Sequence, residues 1–227
     1  MQKSPESLEL FQTLLNADKP LGETEAAGAM IEAARETCWR RNQTCDAVVA
    51  RGAVACILGG AVRKFAVRSN GQRQIVDLMV TGDFLGFAPA DPAFMLEAVS
   101  NNTWIASFTS DQIASLQSCF PAVSSLMHNC AADAIRRLEH HLLVQSRITA
   151  REKVSAYLAA MTRRMKRSRS NTIELPVTRY DIADHLGIAV ETVSRTMTVL
   201  SRRGSITLKT PRNIEIRDES MLSDTYC

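Results

Sequence analysis

Glu191, Thr192, Ser194 and Arg195 fall within five consecutive residues of the run T-R-Y-D-I-A-D-H-L-G-I-A-V-E-T-V-S-R-T-M-T-V-L-S-R-R-G, residues 178–204. On one helix turn these side chains could read the edges of DNA bases. An arginine such as Arg195 can donate two hydrogen bonds to O6 and N7 of guanine, Glu191 can accept one from cytosine N4, and Ser194 is small enough to approach a base edge. A good bidentate contact of this kind discriminates by about 1–3 kcal/mol. Thr192 and the helix N-terminus suit phosphate oxygens. On an isolated surface helix the same Glu191 and Arg195 would form only an i,i+4 ion pair worth about 0.3–0.5 kcal/mol. The surrounding elements decide between the two.

Stepping outward from residue 191, Thr178–Leu186 reads as a short helix carrying Ile182, Ala183 and Leu186, and Gly187 permits a sharp turn. A second helix, Val190–Arg203, holds Val193, Met197 and Leu200 on its buried side. Small Ala183 allows a close crossing, while Ile188 and Val193 fill the angle between the helices, as in a helix-turn-helix. Gly204 ends the second helix. Ser205–Leu208 and Asn213–Arg217 then form a wing-like hairpin around Lys209-Thr210-Pro211-Arg212, and Thr172–Leu175 is a further short strand closed by Pro176. Upstream, Ala150–Arg167 reads as a helix with Val154, Tyr157, Leu158 and Met161 on one side, ended by Ser168-Arg169-Ser170-Asn171.

Charge follows the same division. The 227 residues carry a net +3, but residues 1–135 balance at −4 and residues 136–217 at +10, with three acids in the last ten positions. Arg136, Arg137, Arg147, Arg151, Lys153, Arg163, Arg164, Lys166, Arg167 and Arg169 crowd the start of the basic part. Such a segment attracts a polyanion through counterion release, although a basic run by itself equally suits a solvated helix face. Its position beside the helix-turn-helix favours double-stranded DNA. A hydrophobic content of 45% excludes wholesale disorder, and no apolar run reaches the roughly 20 residues of a membrane span. Met1–Leu15 lacks the pattern of a signal peptide, so a cytoplasmic protein with reduced cysteines and no membrane partner is expected.

Between Ala47 and Ser107 the texture changes to short apolar runs punctuated by glycines: Val48–Val49, Val54–Leu58, Val62–Val67, Ile75–Val80 and Trp104–Phe108. Ser69-Asn70-Gly71-Gln72 is a hairpin signal. Short strands at this spacing predict an antiparallel barrel or roll, with a helix over Glu23–Cys38 packed against it. From Pro121 to about Gln145 a helix about 36 Å long is predicted. Its stripe of Val123, Met127, Cys130, Ala134, Leu138 and Leu142 suits pairing with a second copy of the chain, or packing on its own sheet. The domain reading is 1–118 for the roll, 119–146 for the dimerisation helix and 147–227 for the winged helix-turn-helix, in an α+β chain.

Gly82-Asp83-Phe84-Leu85-Gly86 after the roll, then the long helix, then T-R-x-x-I-A-x-x-L-G-x-x-x-E-T-V-S-R, resembles the Crp/Fnr transcription regulators over almost the whole chain. Val190 and Ser194 make it more similar to the Fnr/FixK branch than to the cyclic-AMP receptor branch, which has arginine and glycine there. The resemblance implies an N-terminal antiparallel β-roll like the cyclic-nucleotide-binding jelly roll, a homodimer, and Glu191, Ser194 and Arg195 reading a TTGA-N6-TCAA-like inverted repeat. Thr178, Arg179 and Thr192 would hold phosphates. The paired recognition helices would enter major grooves about 34 Å apart, a hinge near Gln145–Thr149 would transmit changes from the roll, and RNA polymerase would be a further partner.

Each effector of that family needs its own residues. A cyclic nucleotide needs a cation for its phosphate, yet no Lys or Arg lies between Arg73 and Arg136, and Phe87–Leu96 reads F-A-P-A-D-P-A-F-M-L. Burying the phosphate near Asp91 and Glu97 without a cation would cost several kcal/mol. An iron–sulfur cluster needs four thiolates, three closely spaced, whereas Cys38, Cys45, Cys56, Cys119, Cys130 and Cys227 match no such spacing. No cofactor is therefore expected, haem stays open, and so does redox control through Cys38, Cys45 or Cys56. The Phe87–Met95 segment could line an apolar pocket or pack the roll. Two other classes compete: a ligand-binding module whose basic tail binds nucleic acid or membrane without sequence preference, and a thiol oxidoreductase. The second needs Cys-x-x-Cys or a Cys beside a His, and neither occurs. The expected protein is not an enzyme.

Overall fold

A computed structural model describes residues 5–15, 22–44, 53–87, 91–165, 172–218 and 222. The chain divides into two units, Met1–Val67 with Asp77–Arg137, and Arg68–Val76 with Leu138–Cys227.

The helices α1 (Pro5–Leu14) and α2 (Gly22–Ala33) precede the strands β1 (Arg35–Trp39), β2 (Val54–Gly59), β3 (Ala61–Val67), β4 (Arg73–Val80), β5 (Phe84–Leu85), β6 (Met95–Ala98) and β7 (Thr103–Phe108), all in the first unit except the start of β4, residues 73–76, which belongs to the second. They form one sheet in the order β1-β7-β2-β5 and another in the order β4-β3-β6. Side chains alternate across a strand, and here the inner strands β2 and β5 of the first sheet bury residues on both faces. Ala55, Ile57, Leu85 and Ile105 point to a core shared with Val62, Met79, Leu96 and Ala98 of the second sheet. Cys56, Phe84, Ala106 and Phe108 point the other way, against Phe11, Met30, Leu116, Val123 and Met127. That second core is covered by α1, α2, α3 (Ser110–Cys119) and the start of α4 (Pro121–Gln145). Phe11 meets Phe108 edge to face at 6.0 Å.

Arg137 of α4 is largely buried and pairs with Asp77 at 3.2 Å and Asp83 at 3.3 Å. Asp83 in turn accepts from the Val80 N–H at 2.6 Å. The turn after β4 and the long helix are thereby joined by charge as well as by packing.

Several expectations hold and others need correction. The strands predicted around residues 54–58, 62–67, 75–80 and 104–108 are present, and Gly71 turns at φ 81° as the Asn-Gly pair predicts. The helix expected over Glu23–Cys38 stops at Ala33. Arg35–Trp39 instead extends along β7, with Cys38 opposite Trp104. Thr37 and Trp39 suit a strand, and the ladder with β7 outweighs the helical composition upstream. Strands β5 and β6 were not foreseen, and Met95–Ala98 pairs with β3 where a loop was expected to reach Met95. Val48–Val49 lies outside the described residues.

In the second unit α5 (Ala150–Met165), β8 (Thr172–Glu174), α6 (Arg179–Leu186), α7 (Val190–Arg202), β9 (Ile206–Leu208) and β10 (Asn213–Ile216) follow the end of α4. The predicted breaker at residues 168–171 lies outside the described residues. The sheet order is β8-β10-β9, antiparallel throughout. Leu158, Met161, Ile173, Leu175, Ile182 and Leu186 are among its buried side chains.

Gly86 generates a prediction. Its φ is +97°, and a Cβ there would lie 2.2 Å from the Ala53 carbonyl oxygen. Gly86→Ala should lower the stability by about 3 kcal/mol, combining backbone strain with a forced shift of β2. Urea unfolding followed by circular dichroism checks this, and a midpoint unchanged from the parent protein would contradict it.

Candidate nucleic-acid interface

The helix-turn-helix is built from local signals. Thr178 caps α6: its hydroxyl oxygen accepts from the Asp181 N–H at 3.2 Å and donates to Asp181 Oδ2 at 2.6 Å, while the Thr178 N–H donates to the same carboxylate at 2.9 Å. Such a reciprocal box satisfies donors that a helix start leaves open. Gly187 ends α6 in the left-handed region, φ 65° and ψ 38°, a conformation that costs glycine nothing. Two residues later α7 begins, and the Ile188 N–H returns to the Ala183 carbonyl at 3.2 Å.

Helix α7 has two unlike faces. Val193, Thr196, Met197 and Leu200 are buried, and α7 packs on α5 and α6. Glu191 and Arg195 are exposed, Thr192 and Ser194 half-exposed. Among the described residues neither Glu191 nor Arg195 has an ion-pair partner, so the i,i+4 pair conceivable for a bare surface helix is not made. The outward stripe continues to Thr198 and Arg202, which were not singled out beforehand although a spacing of three and four residues from Arg195 would have found them. Thr198 Oγ1 donates back to the Ser194 carbonyl at 3.0 Å.

The residues expected at phosphates lie at the heads of the two helices, Thr178 and Arg179 on α6 and Thr192 in the first turn of α7. Arg179 opens α6, and its Nε is buried without a hydrogen-bond partner among the described residues. Thr178 spends its hydroxyl proton on Asp181. Exposed Tyr180, 67% accessible, adds an aromatic side chain to the first turn of α6 that the sequence reading passed over. The wing is closed by the Lys209 and Thr210 N–H groups donating to the Asn213 carbonyl at 3.0 and 3.2 Å, with Lys209 Nζ 3.3 Å from Glu215.

The apolar stripe of α4 splits in two. Val123, Met127 and Cys130 are buried, Ala134 is half-buried, and Leu138 and Leu142 are exposed, at 45% and 68%; Ile135, outside the predicted stripe, is exposed beside them at 59%. Burial pushes the Cys130 thiol up to about 12, so it stays protonated. Cys56 is buried, Cys38 and Cys119 are exposed, and Cys45 and Cys227 lie outside the described residues. Among the described residues no group of three His, Cys, Asp or Glu could hold a metal ion, and no helix is long and apolar enough to cross a membrane.

Residues 152–225 match the Crp-like helix-turn-helix domain. The chain is 33% identical over 173 residues to the nitrogen fixation regulation protein FixK of Azorhizobium caulinodans, spanning 74% of this chain and 69% of that one. It is 35% identical over 158 residues to the FixK protein of Rhizobium meliloti, spanning 69% and 70%. The solved structure of FixK2 from Bradyrhizobium japonicum superposes with a TM-score of 0.72 at 27% identity, over 83% of this chain and 95% of that one. Fold and site together define the class as a DNA-binding transcription regulator and not an enzyme. The chain belongs to the Crp/Fnr family, in its Fnr/FixK branch.

Removing the capping carboxylate tests the local construction of this site. Asp181→Ala should destabilise the second unit by about 1–2 kcal/mol, seen as faster hydrogen exchange at residues 179–186. Unchanged protection there would mean that the box contributes nothing to α6.

Proposed function

We propose that the protein binds a TTGA-N6-TCAA-like inverted repeat as a homodimer, with Glu191, Ser194 and Arg195 reading base edges and Thr178, Arg179 and Thr192 at phosphates. One observation carries this reading: the face of α7 that bears Glu191 and Arg195 is exposed and unpaired, while its opposite face is locked into the core. Charged side chains so presented are available to base edges without first breaking an ion pair. The unpartnered Arg179 Nε supports a phosphate contact. Thr178 contributes by setting the head of α6, where first-turn N–H groups favour an anion.

A second copy is the natural cover for Ile135, Leu138 and Leu142, whose steps of three and four residues match a helix–helix seam. In this reading 1–118 is a sensor-like domain, 119–146 the dimer helix and 147–227 the DNA-binding part, and RNA polymerase is the second macromolecular partner. Regulation proceeds without cyclic nucleotide or an iron–sulfur cluster. The space between the two sheets is filled by apolar side chains. The buried guanidinium of the roll, Arg63, is tied to Glu97 at 2.5 Å and to Asn42 at 2.9 Å, which leaves a cyclic phosphate with a competitor for that charge.

A gel-shift comparing a TTGA-N6-TCAA duplex with a scrambled duplex tests the reading, and equal binding to both would overturn it. Arg195→Ala should lose about 1–3 kcal/mol of discrimination at one base pair per half-site. Arg179→Ala should weaken binding to all duplexes alike and reduce the salt slope by about 1. The double variant Leu138→Glu/Leu142→Glu should sediment as a monomer and lose the inverted-repeat complex; a variant that stays dimeric would place the seam elsewhere.

A further inference from the structure

A set of polar contacts in the second unit grips the end of α6. Asp184 Oδ2 accepts from Arg73 Nη2 at 2.9 Å and Nε at 3.2 Å, and its carbonyl accepts from Gln74 Nε2 at 3.0 Å. The His185 Nδ1 lies 3.2 Å from the Ile75 carbonyl oxygen, which can only accept, so Nδ1 carries the proton. The His185 carbonyl accepts from Gln145 Nε2 at 2.5 Å, and the Leu186 carbonyl from Lys153 Nζ at 3.5 Å. The imidazole of His185 stacks on that of His141 with centroids 4.1 Å apart and planes 27° apart, and the Tyr157 ring stands edge-on at 5.8 Å. The first residues of β4, the end of α4 and α5 thus between them hold the three residues that precede Gly187.

We propose that this hold is acid-labile: protonation of His185 releases the end of α6 from Arg73–Ile75 and from the His141 ring, loosening the corner that sets α7. The groups around His185 are His140 and His141 on α4, Arg164, Lys153 and Tyr157 on α5, and Arg73 on β4, with two carboxylates of α6 nearby: Asp184, already paired with Arg73, and Asp181, one turn earlier and held in the cap by Thr178. A proton on His185 therefore arrives mainly among basic and neutral neighbours in a shielded place. Burial, reinforced by His141, pushes the His185 imidazole down to about 3, and the hydrogen bond to the Ile75 carbonyl, which favours the charged form, is outweighed. A held form that refuses the proton is complete above the ordinary histidine value of 6.5 and weakens as the pH falls below it.

This inference rests on the helix-turn-helix reading but is tested without DNA, so that its failure and that of the proposed base contacts are separable. Hydrogen exchange of the full chain, corrected for intrinsic rates, is compared at pH 7.5 and 5.5. Opening at residues 182–187 and 73–76 should rise about tenfold, with β2 and β7 unchanged. His185→Gln, which keeps an N–H donor but does not titrate, should abolish the rise. His141→Phe, which keeps a stacked ring, should reduce it. No rise in the parent protein, or the same rise in His185→Gln, overturns the proposal. If His185→Gln does not fold, the pH profile of the parent decides: corrected opening at residues 182–187 must be level above about 6.5 and climb up to about tenfold per pH unit below it while the held ring stays neutral, and a level profile across that range, or a ring already protonated at pH 5.5 with the corner still closed, refutes it.

Discussion

The left-handed residue between α6 and α7 is the constraint on which the DNA-facing surface depends. With Gly187 at φ 65°, α6 stops after eight residues and α7 starts afresh two residues later. An L-residue with a side chain adopts that conformation at a cost. Once the corner is set, the periodicity of α7 does the rest. Val193, Met197 and Leu200 must go inward, so Glu191, Arg195, Thr198 and Arg202 must go outward.

The same economy appears in the N-terminal unit, where one sheet serves two cores. Strand β2 sends Ala55 and Ile57 to one side and Cys56 to the other, and both sides are sealed. A strand buried on both faces reads as a continuous apolar run rather than an alternation, which is why 54–58 was recognisable as a strand while its two-sided role was not. Gly86 lets the chain after β5 pass within contact of the Ala53 carbonyl, and the Arg137 pair with Asp77 and Asp83 joins the long helix to the turn after β4. Breaking such a largely buried pair from one side would strand the other charge.

Legibility varied with the range of the interaction involved. The helices 121–145 and 190–202, the turn at Gly71 and the wing were readable because caps, glycines and 3.6-residue periodicity act within a few residues. Strand β1 was not, because Arg35–Trp39 owes its conformation to β7, some seventy positions away. Strand β6 likewise owes its conformation to β3. Within the candidate site Glu191, Ser194 and Arg195 were legible from residue type and spacing, whereas the cap at Asp181, the partnerless Arg179 Nε and the His141–His185 stack were not.

The amino-acid sequence by itself determined the helix-turn-helix, the wing, the long helix and the family, since each is written in local spacing and in motifs a few residues wide. Tertiary structure alone decided that the stripe of α4 is buried over its first half and exposed at Leu138 and Leu142, that Glu191 and Arg195 stand apart rather than paired, and that the end of α6 is gripped through His185. The physical reason is common to all three. Burial and partnership depend on what the rest of the chain brings within a few ångströms, and periodicity along one helix carries no information about what arrives from elsewhere.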